Sequence, residues 1–411
     1  ELSCDAPVLA VNPTDGTFGS FVVPANSAGG TITCTFTNTR KETELQLHKA
    51  WINAAAGDYV NLSIDATNDD GPVQSSAAGG TGPGSAFATI TVYAGETVTF
   101  DEAFGVNIGS YTVTNFSCAG ASGTPSWTSG ATTAMLDVTA ADVDAANQAP
   151  SPIMCTFENT RQTATVELNK TWENGRVGDT AYLELAGVES MNASAATSTV
   201  MTGAPSEADG INVATITAWV GETVTLDETL NAPENYESEL SCVPGVLNPD
   251  PTPGTSGGFI VPPGLDGPII CTFTNARKTT DLVIEKQWTD AIVGDTVAIT
   301  GTSDLDSDTQ NSVADTATEL DTPVVTITVG AGDPAVALSE VFGPGSADNY
   351  DTTLNCDLGT LTYTEGELDG SLAVSDVDVG EGPITCTFTN TRKITDLVIE
   401  KQWTDAVTGH T

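Results

Sequence analysis

Four lysines stand out by position. Lys49, Lys170, Lys286 and Lys401 close the runs Leu45/Leu47/Lys49/Trp51, Val166/Leu168/Lys170/Trp172, Leu282/Ile284/Lys286/Trp288 and Leu397/Ile399/Lys401/Trp403. Alternation of this kind puts each lysine on the apolar face of a strand. An ammonium there costs several kcal/mol unless it is paired, neutralised or consumed. The same parity test supplies partners. Ile269, Cys271, Phe273 and Asn275 share a face, so the asparagine points inward, and Asn38, Asn159 and Asn390 repeat the pattern. Val224, Leu226 and Glu228 share another face, as do Val98/Phe100/Glu102 and Val336/Leu338/Glu340. Three complete sets result: Lys49/Glu102/Asn159, Lys170/Glu228/Asn275 and Lys286/Glu340/Asn390. A buried lysine that has lost its proton is a nucleophile toward an asparagine side-chain carbonyl. A buried carboxyl can hold the amide and shuttle protons while ammonia leaves. The chemistry these residues suit is an intramolecular isopeptide bond. They also suit a buried Lys–Glu pair hydrogen-bonded to asparagine, with no covalent bond.

The elements that position these residues recur at domain length. The stretch around Cys271, residues 269–288, has counterparts around Cys34, Cys155 and Cys386, spaced by 121, 116 and 115 residues. Such a period means a tandem array. The chain divides into 1–43, the last third of a repeat; three whole repeats at 44–162, 163–279 and 280–394; and 395–411, the first strand of a further repeat. Thr395–Ala406 matches Thr280–Ala291 letter for letter, and the sequence reads as a window on a longer array. Each repeat shows short alternating segments, Gly-Asp turns (Gly57-Asp58, Gly178-Asp179, Gly294-Asp295) and a variable stretch rich in Ser, Ala, Gly and Asp. About seven short strands with turn signals between them predict an all-β protein of tandem β-sandwich domains arranged end to end. No segment sustains a helical period. Links between repeats are short, six residues at 276–281 without glycine or proline, which restricts swivel. Seven of the twelve basic residues sit at these links: Arg40, Lys41, Arg161, Arg277, Lys278, Arg392 and Lys393. They are expected to pair with carboxylates of adjoining repeats.

The eight cysteines fall one pair to a repeat: Cys4/Cys34, Cys118/Cys155, Cys242/Cys271 and Cys356/Cys386. This predicts four disulfides and an oxidising compartment. A formal charge of −43 repels nucleic acid and anionic membrane surfaces, so neither is an expected partner. No apolar run is long enough to span a membrane. With only His48 and His410 and no CxxC pair, a zinc site is not expected, nor is a triad for turnover catalysis. Asp304, Asp306 and Asp308, and Asn68-Asp69-Asp70-Gly71, place oxygens at spacings calcium uses. Neither completes a calcium loop with its glycine and distal glutamate, so no cofactor is expected and calcium is a secondary candidate.

The combination resembles the Cna B-type and SpaA-like domains of bacterial surface proteins and pilins. The residues that carry the resemblance are the Lys-x-Trp of the first strand (Lys170, Trp172), Glu228 with the following Ala232-Pro233-Glu234-Asn235-Tyr236, and Thr274-Asn275-Ala276 in the last strand. The other repeats vary the middle element, with Gly105–Tyr111 and Gly343–Tyr350. The resemblance implies a prealbumin-like sandwich, with roles of nucleophile for the lysine, acid/base for the glutamate and acceptor for the asparagine. It implies an extracellular, cell-surface or appendage location and partners that are further copies of the repeat, with filament formation. The expected function is the stalk of an extracellular fibre or adhesin. The alternative is an adhesin module binding calcium or glycan through its acidic variable loops.

Overall fold

A computed structural model describes residues 1–5, 9, 16–23, 25, 30–69, 71–105, 109–143, 152–344 and 347–404. It comprises two compact units, 1–162 and 163–411, each described by itself. The second repeat, in the second unit, shows the plan. One sheet runs in the order Glu207–Trp219, Thr163–Glu173, Ile269–Arg277, Tyr236–Val243, Thr252–Pro253. The other runs Ala193–Thr199, Thr180–Gly187, Thr223–Leu230, Ser256–Ile260. We name four strands by role: opening (Thr163–Glu173), closing (Ile269–Arg277), glutamate (Thr223–Leu230) and tyrosine (Tyr236–Val243). The first repeat uses Glu42–Ala54, Ile153–Arg161, Thr97–Phe104 and Tyr111–Ala119 in these roles. The third uses Thr279–Thr289, Ile384–Arg392, Asp333–Phe342 and Tyr350–Cys356, in the same spatial order.

Each closing strand lies between the opening strand, which it pairs in parallel, and the tyrosine strand, which it pairs antiparallel. Inward residues alternate with outward ones, and the two inner faces form the core. In the second repeat Val166, Leu168, Leu226, Leu240, Cys271 and Phe273 are all buried there. The four disulfides join residues directly opposite on antiparallel strands, such as Cys242 on the tyrosine strand and Cys271 on the closing strand.

The strand count exceeds the seven expected. The variable stretch forms an edge strand, Ala193–Thr199, and the Pro/Gly-rich excursion contributes Ser256–Ile260, which pairs the glutamate strand. Both escape an apolar-alternation test: Ala193–Thr199 turns only small residues inward, and Ser256–Ile260 turns in Gly257 and Phe259, one apolar side chain too few to mark a period. Among the described residues the α-helices are two short turns, Ala140–Val143 and Asp376–Glu381, the latter held by a Ser375/Asp378 capping box. Residues 393–404, which restart the opening-strand sequence, are exposed and carry no strand; residues 405–411 lie outside the described set.

The basic residues at the links divide. In the first unit Arg40 lies 3.3 Å from Glu96, its guanidinium over the Tyr93 ring. In the second, Arg277 is buried between repeats, where Nε donates to the Ala331 carbonyl at 2.8 Å and Nη1 meets Asp304 at 2.7 Å. Lys393 instead faces Asp351 of its own repeat at 3.7 Å.

Candidate functional site

Strand register brings the predicted sets together. Lys49, Lys170 and Lys286 lie directly opposite Phe157, Phe273 and Phe388 on the parallel closing strands. Asn159, Asn275 and Asn390 lie two residues further along, on the same inward face and opposite the tryptophans Trp51, Trp172 and Trp288. Glu102, Glu228 and Glu340 come from the other sheet and face them across the core. All nine side chains are buried. Each ammonium also sits over its neighbouring tryptophan ring, 4.1–4.8 Å from the centroid. Asn38 and Lys401, in the end segments, are exposed.

The three sites share residues but differ in hydrogen bonding. In the first, Lys49 Nζ donates to the Ala50 and Phe157 carbonyls at 3.0 Å each and lies 3.5 Å from Glu102. In the second, Lys170 Nζ donates to Thr171 at 2.7 Å and Phe273 at 3.3 Å, with Glu228 3.5 Å away. Beyond those ion-pair contacts, the carboxylate oxygens of Glu102 and Glu228 and the amide atoms of Asn159 and Asn275 are buried without a hydrogen bond of normal geometry. Buried polar atoms left in this state cost about 1–3 kcal/mol each. In the third site Lys286 donates directly to Glu340 at 2.9 Å, Asn390 Nδ2 donates to the same oxygen at 3.4 Å, and Thr352 donates to Asn390 Oδ1 at 2.9 Å.

Burial sets the electrostatics. It lowers all three lysines to about 8, their glutamates offsetting only part of the desolvation. It raises Glu102 and Glu228, against the opposing pull of the lysine and of the nearby asparagine amide. At neutral pH about a tenth of such lysines are unprotonated, against roughly one in three thousand for an ordinary lysine. The arrangement can hold a neutral amine and an amide carbonyl together in a dry site, beside a carboxyl that exchanges protons.

Two features go beyond the residue pattern, which marked the tyrosines Tyr111, Tyr236 and Tyr350 only as part of the resemblance and not by what they touch. One is Thr352. The other is the tyrosine opening each tyrosine strand, which packs edge-on against the site tryptophan with ring centroids 5.2–5.6 Å apart. Its hydroxyl donates to the aspartate of the Gly-Asp turn, as in Tyr236 to Asp179 and Tyr350 to Asp295 at 2.7 Å, and Tyr111 to Asp58. It also accepts a backbone N–H from the residues before that turn. The Gly-Asp dipeptide was legible only as a turn signal.

The calcium candidates do not converge. Asp304 is taken by Arg277, Asp306 accepts from the backbone of Ser307 and Thr328, and Asp308 accepts from Thr309. Among the described residues no three carboxylate or imidazole groups gather around one point. Asp70 lies outside that set.

A family model for the SpaA type, described as a prealbumin-like fold domain, matches residues 44–161, 165–277 and 294–392. The chain belongs to this family. Its three SpaA-like domains are therefore prealbumin-like sandwiches in tandem. Similar solved structures include the Bacillus anthracis TIE protein, 10% identical over 88% of this chain and 53% of that one, with a TM-score of 0.41. A major pilin from Streptococcus pyogenes is 12% identical over 58% of this chain and 99% of its own, TM-score 0.29. The pilus adhesin SpaC from Lactobacillus rhamnosus GG is 12% identical over 91% of this chain and 46% of its own, TM-score 0.27. The chain thus spans about half the length of the TIE protein and of SpaC. No curated protein sequence matches.

Proposed function

We propose that this chain is a load-bearing segment of an extracellular surface protein or fibre, its three SpaA-like domains each closed by a Lys–Asn isopeptide bond. The observation that carries this reading is the thrice-repeated burial of lysine, glutamate and asparagine on facing inner faces, with amide and carboxyl atoms left unbonded in two of the three sites. A noncovalent Lys–Glu–Asn cluster would keep those costs; amide formation removes the lysine charge and one amide nitrogen. The bonds join Lys49 to Asn159, Lys170 to Asn275 and Lys286 to Asn390, with Glu102, Glu228 and Glu340 moving the protons.

The placement suits tension. Force entering a repeat through its opening strand and leaving through its closing strand would cross directly between these adjacent strands, through the bond. The strands between would carry little of it. Four disulfides support an oxidising, extracellular setting and hold a different pair of strands. The proposed partners are further copies of the repeat and of the chain, assembled as a filament or stalk. Repeat boundaries at 44–162, 163–279 and 280–394 belong to this proposal, as does the restart at 395.

Intact mass of the reduced, denatured protein tests it. Three bonds predict a mass lower than the sequence mass by three ammonia molecules, and Glu228→Ala should restore one of them. A full, unmodified mass would overturn the proposal.

A further inference from the structure

The third site contains a group the other two lack. The tyrosine-strand residue opposite the acceptor asparagine is Val113 in the first repeat, Ser238 in the second and Thr352 in the third. Thr352 is 3% exposed, and its hydroxyl oxygen lies 2.9 Å from Asn390 Oδ1, the nearer acceptor for its one proton, and 3.2 Å from Glu340 Oε1. Asn159 and Asn275 have no such donor: their Oδ1 atoms are buried and unbonded. We propose that Thr352 is a catalytic residue of the third repeat, the donor that stabilises negative charge on Asn390 Oδ1 as the bond to Lys286 forms. This rests on the isopeptide reading above and adds a step order to it.

The lone pair of neutral Lys286 Nζ attacks Asn390 Cγ, and the carbonyl π pair moves onto Oδ1, where the Thr352 hydroxyl already points. Nζ gives a proton to Glu340 Oε2, and the glutamate returns it to Nδ2. The Cγ–Nδ2 bond breaks, ammonia leaves, and the Cγ–Nζ amide remains. The geometry fits the proton transfer, because one oxygen, Oε2, touches both the nitrogen that loses a proton at 2.9 Å and the nitrogen that gains one at 3.4 Å. A preformed donor lowers the barrier because it needs no reorganisation as charge develops. The third repeat should therefore close fastest and the first, with a valine in that place, slowest.

The test is a short pulse of cell-free synthesis of the whole chain, quenched at intervals in acid denaturant and digested. The fraction of each crosslinked peptide pair is then read by mass. Thr352→Val should slow the Lys286–Asn390 bond on the order of 100-fold, by analogy with loss of one oxyanion donor, while leaving Lys49–Asn159 and Lys170–Asn275 unchanged. Thr352→Ser should restore the rate. Val113→Thr should accelerate the first repeat, an arm that does not depend on how Thr352→Val folds. Unchanged closure of the third repeat in Thr352→Val, or of the first in Val113→Thr, overturns the inference and leaves the crosslinks standing. Absence of all three bonds in the unaltered chain overturns the crosslink proposal itself.

Discussion

A lysine on the apolar face of a strand poses a problem that its neighbours must solve, and here burial shifts it toward the neutral amine. With the lysines at about 8, each unit of pH below that value should slow bond formation about tenfold. Following the crosslinked peptides of freshly made chain at several pH values checks this, and a flat profile would mean the amine is not the titrating reactant. The strand tyrosines give a second residue-scale prediction. Burial, then the aspartate of the turn, raises Tyr111 well above the usual phenol value. Burial does the same for Tyr236 and Tyr350, with Asp179 and Asp295 adding to it. Their folded pKa exceeds the unfolded one, so the unfolded chain loses its protons first. Their contribution is complete below about 10 and declines as pH climbs beyond it. Ultraviolet titration should show Tyr111 and Tyr236 as the last of the tyrosines to ionise. Tyr236→Phe should cost about 1–3 kcal/mol by leaving the buried Asp179 carboxylate without its donor, measurable by urea unfolding. At this scale the sequence was legible wherever residue type clashed with parity: Lys, Glu and Asn all announced themselves on apolar faces. Thr352 did not, because a threonine is unremarkable on either face of a strand. Nor did Asp58, Asp179 and Asp295, whose partners lie more than fifty residues away.

Between residue and molecule, the link of the second unit shows how elements are held. Arg277 ends one closing strand and grips the turn 330–332 of the next repeat, while the backbone of Lys278 pairs with Asn235 and Ala331. Gly332 has φ +77, and a Cβ there would lie 2.4 Å from the Asn235 amide, so only glycine lets the turn approach. Arg277→Met should therefore uncouple the two repeats by about 1–3 kcal/mol, since Asp304 and the Ala331 carbonyl lose their donor. Calorimetry should resolve this as an earlier, broader transition; Arg392→Met, exposed at the end of the third repeat, is the matched control. An unchanged transition in Arg277→Met would deny the arginine any coupling role. From sequence, the opening, closing, glutamate and tyrosine strands were readable because both periodicity and apolar content marked them. The edge strands Ala193–Thr199 and Ser307–Val313 were not, since their serines, threonines and alanines also spell a loop and only pairing with a neighbour makes them strands.

For the whole molecule the dominant quantity is charge. At −43, self-repulsion opposes compactness, and its range shrinks from about 30 Å at 0.01 M salt to about 8 Å at 0.15 M. The melting temperature should rise with ionic strength over that interval, and a flat response would place the carboxylates too far apart to interact. Against that repulsion stand loop closures. Each disulfide closes 29–37 residues, worth about 3.5 kcal/mol on a chain-entropy basis, and a Lys–Asn bond closing about a hundred would add roughly 4.7.

The parallel pairing of opening and closing strands has a further consequence, for how such a protein changes over generations. Parallel neighbours run the same way, so the chain enters a sandwich at one pole and leaves it at the other. The nine residues of a closing strand, at about 3.3 Å each, carry it roughly 30 Å along. Duplication or loss of one repeat then leaves every remaining sandwich with its own sheets and core. The identity of the opening segments at 280–291 and 395–406 is the mark such copying leaves, and a gene of this kind can gain or lose a division without rewriting the rest.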